Sequence, residues 1–480
     1  MIFENDLSRN IGIRFFKKHQ DAIVLGLIGI VSFIFIYAGL ETDRSKLLAI
    51  PFLAMVFFLI LFFPNLLLYC FITCFFLQKT FFQYEMIFFN YEDILVFGLL
   101  GGFLSWYFSP QKISARSRAM HSGLKVPIFV KFLVLFLVSS TISCAVYYLL
   151  FSNLDIARSL SYLFHLSELP VVFLILFNFL SYKQRNPSIA LILILSTIEL
   201  LIVGVQFVFS AQRDMFSLQK NVVGTFDHHC QIGNMLTISI ACSLYKFIKV
   251  PSLKSKVFYL LLSFLFVWAI TASSSRSNLN GVFIAVVLAI LTQFKFNLRY
   301  VVILTGICVI CFVLFVFSPM QQIIQGTLNN SQGTSVDISA YQRFFIWQGA
   351  WEHFVQAPII VKLLGIGIGN YPNLVYKHSL LGGYSISGAH NNFLHVLSET
   401  GIIGFICFVC IFTSILVILW KKGREDVFAY LYFWATIALI LSGLTQETFW
   451  FQNVFGNLWL YYMFGLALTL IDNKEPSNDS

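Results

Sequence analysis

The chain has 480 residues, of which 58% are hydrophobic and only 11% charged, with a mean hydropathy of +0.81. A soluble domain carries about 25% charged residues, so these values exclude an ordinary water-soluble fold. The net charge of +9 reads as basic residues marking cytoplasmic loops and anionic headgroups, not as a nucleic-acid surface.

From the N-terminus, Arg9, Arg14, Lys17 and Lys18 precede an apolar run that ends near Leu40. The run is too long for a signal-peptide core and lacks an Ala-x-Ala exit, so it is expected to stay as the first transmembrane helix. Further apolar spans follow near 47–63, 64–78, 93–108, 128–151, 169–182, 188–210, 232–248, 257–272, 277–294, 300–318, 401–420, 427–444 and 452–471. Most approach the ~17–25 residues that cross a bilayer. Basic clusters fall in alternate connections: Arg14/Lys17/Lys18, Lys112/Arg116/Arg118/Lys125, Lys183/Arg185, Lys246/Lys249/Lys254/Lys256, Lys295/Arg299 and Lys421/Lys422/Arg424. The positive-inside rule puts all six in the cytoplasm. The expectation is an all-α polytopic membrane protein of about 12–14 transmembrane helices, both termini cytoplasmic. Residues 1–480 form one integral membrane domain with no evident repeat.

Two outward segments stand out, a short one at 211–231 and a large loop at 320–400. A loop longer than ~12–15 residues is usually functional or disordered. The large one carries aromatics, glycines and a helix-like stretch from Arg343 to Phe354, so order is expected.

Four basic or titratable residues gather on the outward face. Arg213 follows span 188–210, Arg276 lies in the very short turn before span 277–294, Arg343 opens the helical part of the large loop, and His390 closes that loop. An arginine at the membrane boundary costs up to about 3 kcal/mol unless paired or hydrated. Its planar, permanently charged fork matches phosphate oxygens, and an imidazole accepts a proton near neutral pH. Together they suggest a lipid-linked diphosphate site with a nearby base. Plainer readings compete: Arg276 snorkelling to headgroups, Arg343 pairing with Asp337 or Glu352, and His390 capping the next helix. That helix is expected to begin at Gly401, with Ser398 or Thr400 as cap and Glu399 on its N-terminal dipole. His228, His229 and His395 read first as structural or supporting groups.

The nine cysteines lie almost entirely within apolar runs and read as packing residues. His228-His229-Cys230 is a weak metal candidate, and Glu168 and Glu199 are weak candidates for an ion relay. The sequence contains no Walker A loop or HExxH, and the outward loops hold no Asp-x-Asp, so neither metal nor cofactor is expected.

Several motifs in order resemble the O-antigen ligase and O-antigen polymerase superfamily of bacterial envelope glycosyltransferases. They are Val223-Gly224-Thr225-Phe226-Asp227-His228-His229, the turn Thr271-Ala272-Ser273-Ser274-Ser275-Arg276-Ser277, and Tyr341-Gln342-Arg343 with Trp347. Leu364-Gly365-Ile366-Gly367-Ile368-Gly369-Asn370-Tyr371 follows, and His390-Asn391 then precedes Gly401-Ile402-Ile403-Gly404 by nine residues. The resemblance runs from about 190 to 465; His229-Cys230 departs from the Pro-Asn often found in the family.

The resemblance implies a GT-C-like membrane fold and metal-independent, inverting transfer of a glycan from undecaprenyl diphosphate at the outer face of the bacterial inner membrane. It implies that Arg276 and Arg343 hold the donor diphosphate, with Arg213 as an auxiliary contact, and that His390 activates the acceptor hydroxyl or orients the diphosphate. The acceptor is either a second lipid-linked glycan (polymerase, the favoured reading) or lipid A-core (ligase), with a chain-length regulator as a candidate partner. A polysaccharide flippase is the rival from another class.

Overall fold

The computed structural model describes residues 80–84, 87–90, 96, 100, 126–151, 155–180, 182–213, 222, 229–273, 275–293, 338–378, 388–449 and 457–471. The chain divides into two compact units, residues 1–82 with 89–108, and residues 83–88 with 109–480. In the first, Val96 is buried. A short antiparallel-type pair, β1 (Thr80–Tyr84) and β2 (Ile87–Asn90), is the only sheet among the described residues. Spans 22–40, 47–63, 64–78 and 300–318, and nearly all of 93–108, lie outside the described residues.

The second unit is helical throughout its large described part. Its helices are α1 (Ile128–Phe151), α2 (Ile156–Phe179), α3 (Tyr182–Arg213), α4 (His229–Lys249), α5 (Leu253–Ala272) and α6 (Arg276–Gln293). They continue as α7 (Ile338–Gln356), α8 (Ile359–Leu364), α9 (Tyr371–His378), α10 (Asn392–Gly423), α11 (Val427–Ser442) and α12 (Asn457–Leu470). Among the described residues five helices are long and apolar enough to cross a membrane: α1, α2, α3, α5 and α10. The protein is thus an all-α polytopic membrane protein apart from the small hairpin.

Burial explains the arrangement. Every residue of α12 from Leu458 to Leu470 is buried, with Gly465 packed against the Tyr432 ring, and α4 is buried from Gln231 to Cys242. These helices form the centre. α12 packs on α2, α11 and α4, while α4 packs on α5 and α11. Outer helices keep large apolar residues on the outside, such as Leu149 (77% exposed), Leu201 (65%) and Leu253 (75%). Such a surface is unfavourable in water and ordinary in lipid. On α1 the inward face is small and polar, with Ser139, Ser140 and Ser143 buried. Small residues let α10 approach closely, as interhelical contacts in membranes prefer; a Cβ at Gly404 of α10 would lie 3.4 Å from Ser139 Oγ.

Two helix starts differ from the sequence reading for a visible reason. α2 starts at Ile156, where the Asp155 side chain accepts from Arg158 N, and passes through Pro170; a proline is tolerated inside a membrane helix whose neighbours re-satisfy the freed carbonyl. α10 starts at Asn392, not at Gly401, because the Asn391 side chain accepts from the N–H groups of Phe393 and Leu394. Thr400 therefore does not cap a helix there; its Oγ1 donates back to Val396 O at 2.7 Å. Within 320–400, the described stretch 338–378 forms three helices.

Arg185 also departs from its expected place in a cytoplasmic connection. It lies within α3, 2% exposed, with Nη1 and Nη2 donating to the two Asp426 oxygens at 2.7 and 2.9 Å. Its guanidinium carbon stands 4.9 Å from the Phe428 ring centroid and 5.5 Å from that of Tyr245. Asp426 in turn caps α11 through Phe428 N. At this same end Lys246 donates to Asn186 and Lys422 donates to Ile471 O. Basic groups of α3, α4 and α10 thus collect at one end of the bundle.

Removing one partner from a buried ion pair leaves an uncompensated charge, at a cost of about 3–5 kcal/mol. Arg185→Met is expected to lower the melting temperature in detergent markedly, and Arg185→Lys to recover only part of it because the fork and the ring stacking are lost. Fluorescence-detected thermal unfolding checks both.

Candidate active site

The opposite end of the bundle is built on a polar knot around Asn278 of α6. Its Nδ2 donates to Cys230 O at 3.0 Å and to Ser275 Oγ at 2.8 Å, and its Oδ1 accepts from Ser442 Oγ at 2.8 Å. Ser442 Oγ accepts from Gln446 Nε2 at 2.6 Å. One amide therefore binds the first turns of α4 and α6 to the end of α11 and the connection 443–449. Burial of such a network is stabilising where its members find partners, and both amide atoms of Asn278 do. Arg276 follows Ser275 at the start of α6 and is partly buried.

That connection carries Glu447, which the sequence reading did not single out. His390 N donates to Glu447 Oε1, and His390 Nδ1 lies 3.1 Å from Glu447 Oε2. Asn392 holds the two segments in register: its N donates to Gly443 O at 2.9 Å, and its Oδ1 accepts from Thr448 N and Phe449 N. Asn391 Nδ2 donates to Leu444 O. The His-Asn-Asn run is thus a clasp. His390 is held with φ +48°, in the left-handed region, where a non-glycine residue is uncommon and often marks a site.

Behind His390 the polar groups continue inward. His395 is 2% exposed, with Nδ1 3.6 Å from Glu447 Oε1 and Nε2 3.3 Å from Glu399 Oε1. Glu399 is fully buried, and its Oε1 accepts from Tyr371 N at 3.0 Å. The four groups therefore run His390, Glu447, His395, Glu399, from a third-exposed imidazole to a sealed carboxylate.

The Gly-x-Gly-x-Gly segment supports this interior. Ser143 Oγ donates to Glu399 O and accepts from Gly367 N, and Gly367 N also donates to Glu399 O. Ser159 Oγ donates to Ile368 O at 2.7 Å, Asn370 Oδ1 accepts from Asp155 N, and Arg158 Nη1 donates to Gly369 O at 3.4 Å. The strap 365–371 so ties α1 and α2 to α10. Gly365, Gly367 and Gly369 of the strap and Gly401 of α10 all have positive φ, and at two of them backbone meets backbone. Gly365 (φ +82°) and Gly401 (φ +64°) face each other's backbone, and a Cβ would fall 2.3 Å from Glu399 O at the first and 2.4 Å from Leu363 O at the second. The break in α10 at Gly401 turns the Glu399 carbonyl toward the strap.

Arg343 is partly buried on α7. One turn further along, Trp347 Nε1 donates to Ala389 O at 2.8 Å, next to His390; residues four apart share a helix face. Cys230 lies within electrostatic range of both Arg343 and Glu447, and its thiol is hydrogen-bonded to Ser275. The segments bearing Arg276, Arg343 and His390 therefore meet at one end. Arg213 ends α3; its side chain lies outside the described residues, as do the Gly-Thr-Phe motif and His228.

Glu447 was missed in the sequence, and His395 was read there only as a structural or supporting group, each for an identifiable reason. Glu447 stood in a short connection between two apolar runs, where an acidic residue was not paired with anything nearby in sequence. His395 sits five residues after His390, and only the helix that begins at Asn392 turns it toward Glu399.

Burial opposes ionisation of Glu447, but hydrogen bonds from His390 and His395 and their charges outweigh it and hold its carboxyl well below the usual 4.5. A depressed carboxyl contributes stability that is present above its unfolded value and is lost as pH falls through the folded one. The wild type is thus expected to lose stability progressively below about 4.5, the usual value for this group. Glu447→Gln is expected to be less stable near pH 7 and to show a shallower decline below 4.5; thermal unfolding against pH checks it. Gly401→Ala is expected to cost more than ~1 kcal/mol from the positive φ alone, read as a lower melting temperature.

Residues 261–409 match the sequence model of a family described as O-antigen ligase. The match runs from within α5 through α9 to the first part of α10, and so includes Arg276, Arg343, His390, His395 and Glu399. A comparison with curated proteins returned no match.

Proposed function

We propose that this chain, whose match supports the O-antigen polymerase and ligase superfamily, is a multi-pass inner-membrane glycosyltransferase that moves a glycan from undecaprenyl diphosphate to a hydroxyl at the outer face. The observation that carries the reading is the joining of His390, Glu447, the Arg276 turn and the Arg343 helix at the end of the bundle remote from Arg185 and Lys246.

In this reading Arg276 and Arg343 grip the donor diphosphate, with Arg213 as an auxiliary contact. Forked, permanently charged donors suit a group whose negative charge grows as it leaves. His390 donates Nδ1–H to Glu447, which leaves Nε2 with the lone pair. The acceptor oxygen forms a bond to the anomeric carbon while the bond from that carbon to the phosphate oxygen breaks. The electron pair goes to the diphosphate, and the acceptor proton goes to His390 Nε2. No metal takes part, and attack opposite the leaving group inverts the anomeric centre. Both termini lie in the cytoplasm.

The favoured acceptor is a second lipid-linked glycan, which makes the protein a surface-polysaccharide polymerase and a chain-length regulator a proposed partner. The second reading is transfer to lipid A-core, and a family described as O-antigen ligase is compatible with either acceptor.

Arg276→Ala, Arg343→Ala and His390→Ala are each expected to abolish long-chain glycan while membrane insertion is kept, a loss of at least ~10²-fold. Arg343→Lys is expected not to restore it fully. Normal glycan from any two of the alanine variants would end the assignment. Glycan banding in a deletion strain separates the acceptors. A single repeat on the lipid anchor identifies a polymerase, and full-length chains stranded on undecaprenyl diphosphate identify a ligase.

A further inference from the structure

His395 belongs to no step just described. It lies five residues after the base, in the first turn of α10, nearly sealed between two carboxylates. A neutral imidazole has one N–H and donates to one carboxylate only; with Nε2 3.3 Å from Glu399 and Nδ1 at the ion-pair distance of 3.6 Å from Glu447, the doubly protonated ring is the form that attracts both acceptor-only groups. Two carboxylates this close in a site sealed from water also need a cation between them. The Tyr371 ring covers one face of His395, with centroids 4.6 Å apart, so no water replaces that cation from this side.

We infer that His395 is a positioning residue for the transfer reaction: as an imidazolium shared by Glu399 and Glu447, it limits the negative charge that His390 meets and so keeps His390 unprotonated and ready to accept the hydroxyl proton.

The charge count makes the role specific. At rest, two carboxylates face one imidazolium and a neutral His390, which leaves one net negative charge. The proton that His390 takes from the acceptor brings the cluster to balance, which favours the step. Without the His395 cation the resting cluster carries two net negative charges. His390 would then bind a proton from solvent before any acceptor arrived, and its lone pair would be lost. The proton leaves His390 Nε2 to solvent after transfer, and His395 keeps both of its protons throughout.

Other groups face the cluster without supplying this charge. Tyr162 of α2 is in range of Glu399 and Glu447, as are Arg158 and Asp155 in range of Tyr162; Cys144 of α1 is in range of Glu399. Arg343 of α7 acts on Cys230 of α4. Arg158 is engaged by Asp155 at 3.5 Å and by Gly369 O.

The inference rests on His390 being the base, yet its test does not need glycan transfer. Diethyl pyrocarbonate acylates only unprotonated imidazole, and His390 is 34% exposed. The full-length protein in detergent is labelled across pH 5–9, and acylation at His390 is read by peptide mass spectrometry. His395→Gln is expected to move the pH of half-maximal His390 labelling up by about one unit, and His395→Lys, which keeps a cation, to leave it near the wild-type value. Glu399→Gln removes an anion and is expected to move it down. Where His395→Gln does not fold, the downward shift of Glu399→Gln carries the test. Unshifted labelling in whichever of these two variants folds, or shifts of the same sign in both, overturns the inference. That outcome leaves the proposed transferase standing, which only the glycan assay decides.

Discussion

Two imidazoles and two carboxylates, set in series where water has little access, cannot choose their charges independently. Each carboxylate there is tolerable only beside a proton-bearing partner. Glu447 is the point where this constraint is tightest, because it meets both His390 and His395. Much of the surrounding structure serves to hold that one carboxylate and its neighbour. The clasp made by Asn391 and Asn392 fixes the connection that bears Glu447. The break of α10 at Gly401 and the strap 365–371 fix Glu399.

Placement of polar groups along the bundle follows the same economy. Arg185 and Asp426 are buried at one end, and the Asn278 knot and the His-Glu series at the other. Between them α12 and α4 offer chiefly apolar side chains and hydroxyls, as in Tyr432 donating to Tyr462 O and Ser239 meeting Ser196. Backbone polar groups within a helix are self-satisfied, so an apolar middle costs nothing. Paired side chains at the ends set which helix neighbours which, since hydrophobic matching alone distinguishes poorly between apolar helices in lipid.

Arg343 illustrates how a loop residue reaches a membrane-end site. α7 lies in a segment that sequence assigns outside the membrane, yet its inward face, Ile346 and Ala350, packs with Val361, Tyr371 and Ala389. Through Trp347 it is joined to the residue before His390. A side chain on a loop gains precision of placement from such docking on rigid helices.

Composition alone determined that this chain is a helical membrane protein, because 11% charge cannot cover a water-facing surface. The order of its short motifs singled out Arg276, Arg343 and His390 as candidates, because those residue types are costly near lipid and rarely lie there without a task. Helix boundaries at Ile156 and Asn392 were also present as Asp and Asn caps, but a proline in one and a glycine in the other obscured them. What only the tertiary structure decided is the company these residues keep. Glu447 is 57 residues from His390, and Asn278 is 164 from Ser442. Local periodicity carries no information at such separations; the pairing of charges and hydrogen-bonding groups arises when helices pack and water is expelled, and that is a property of the assembled bundle.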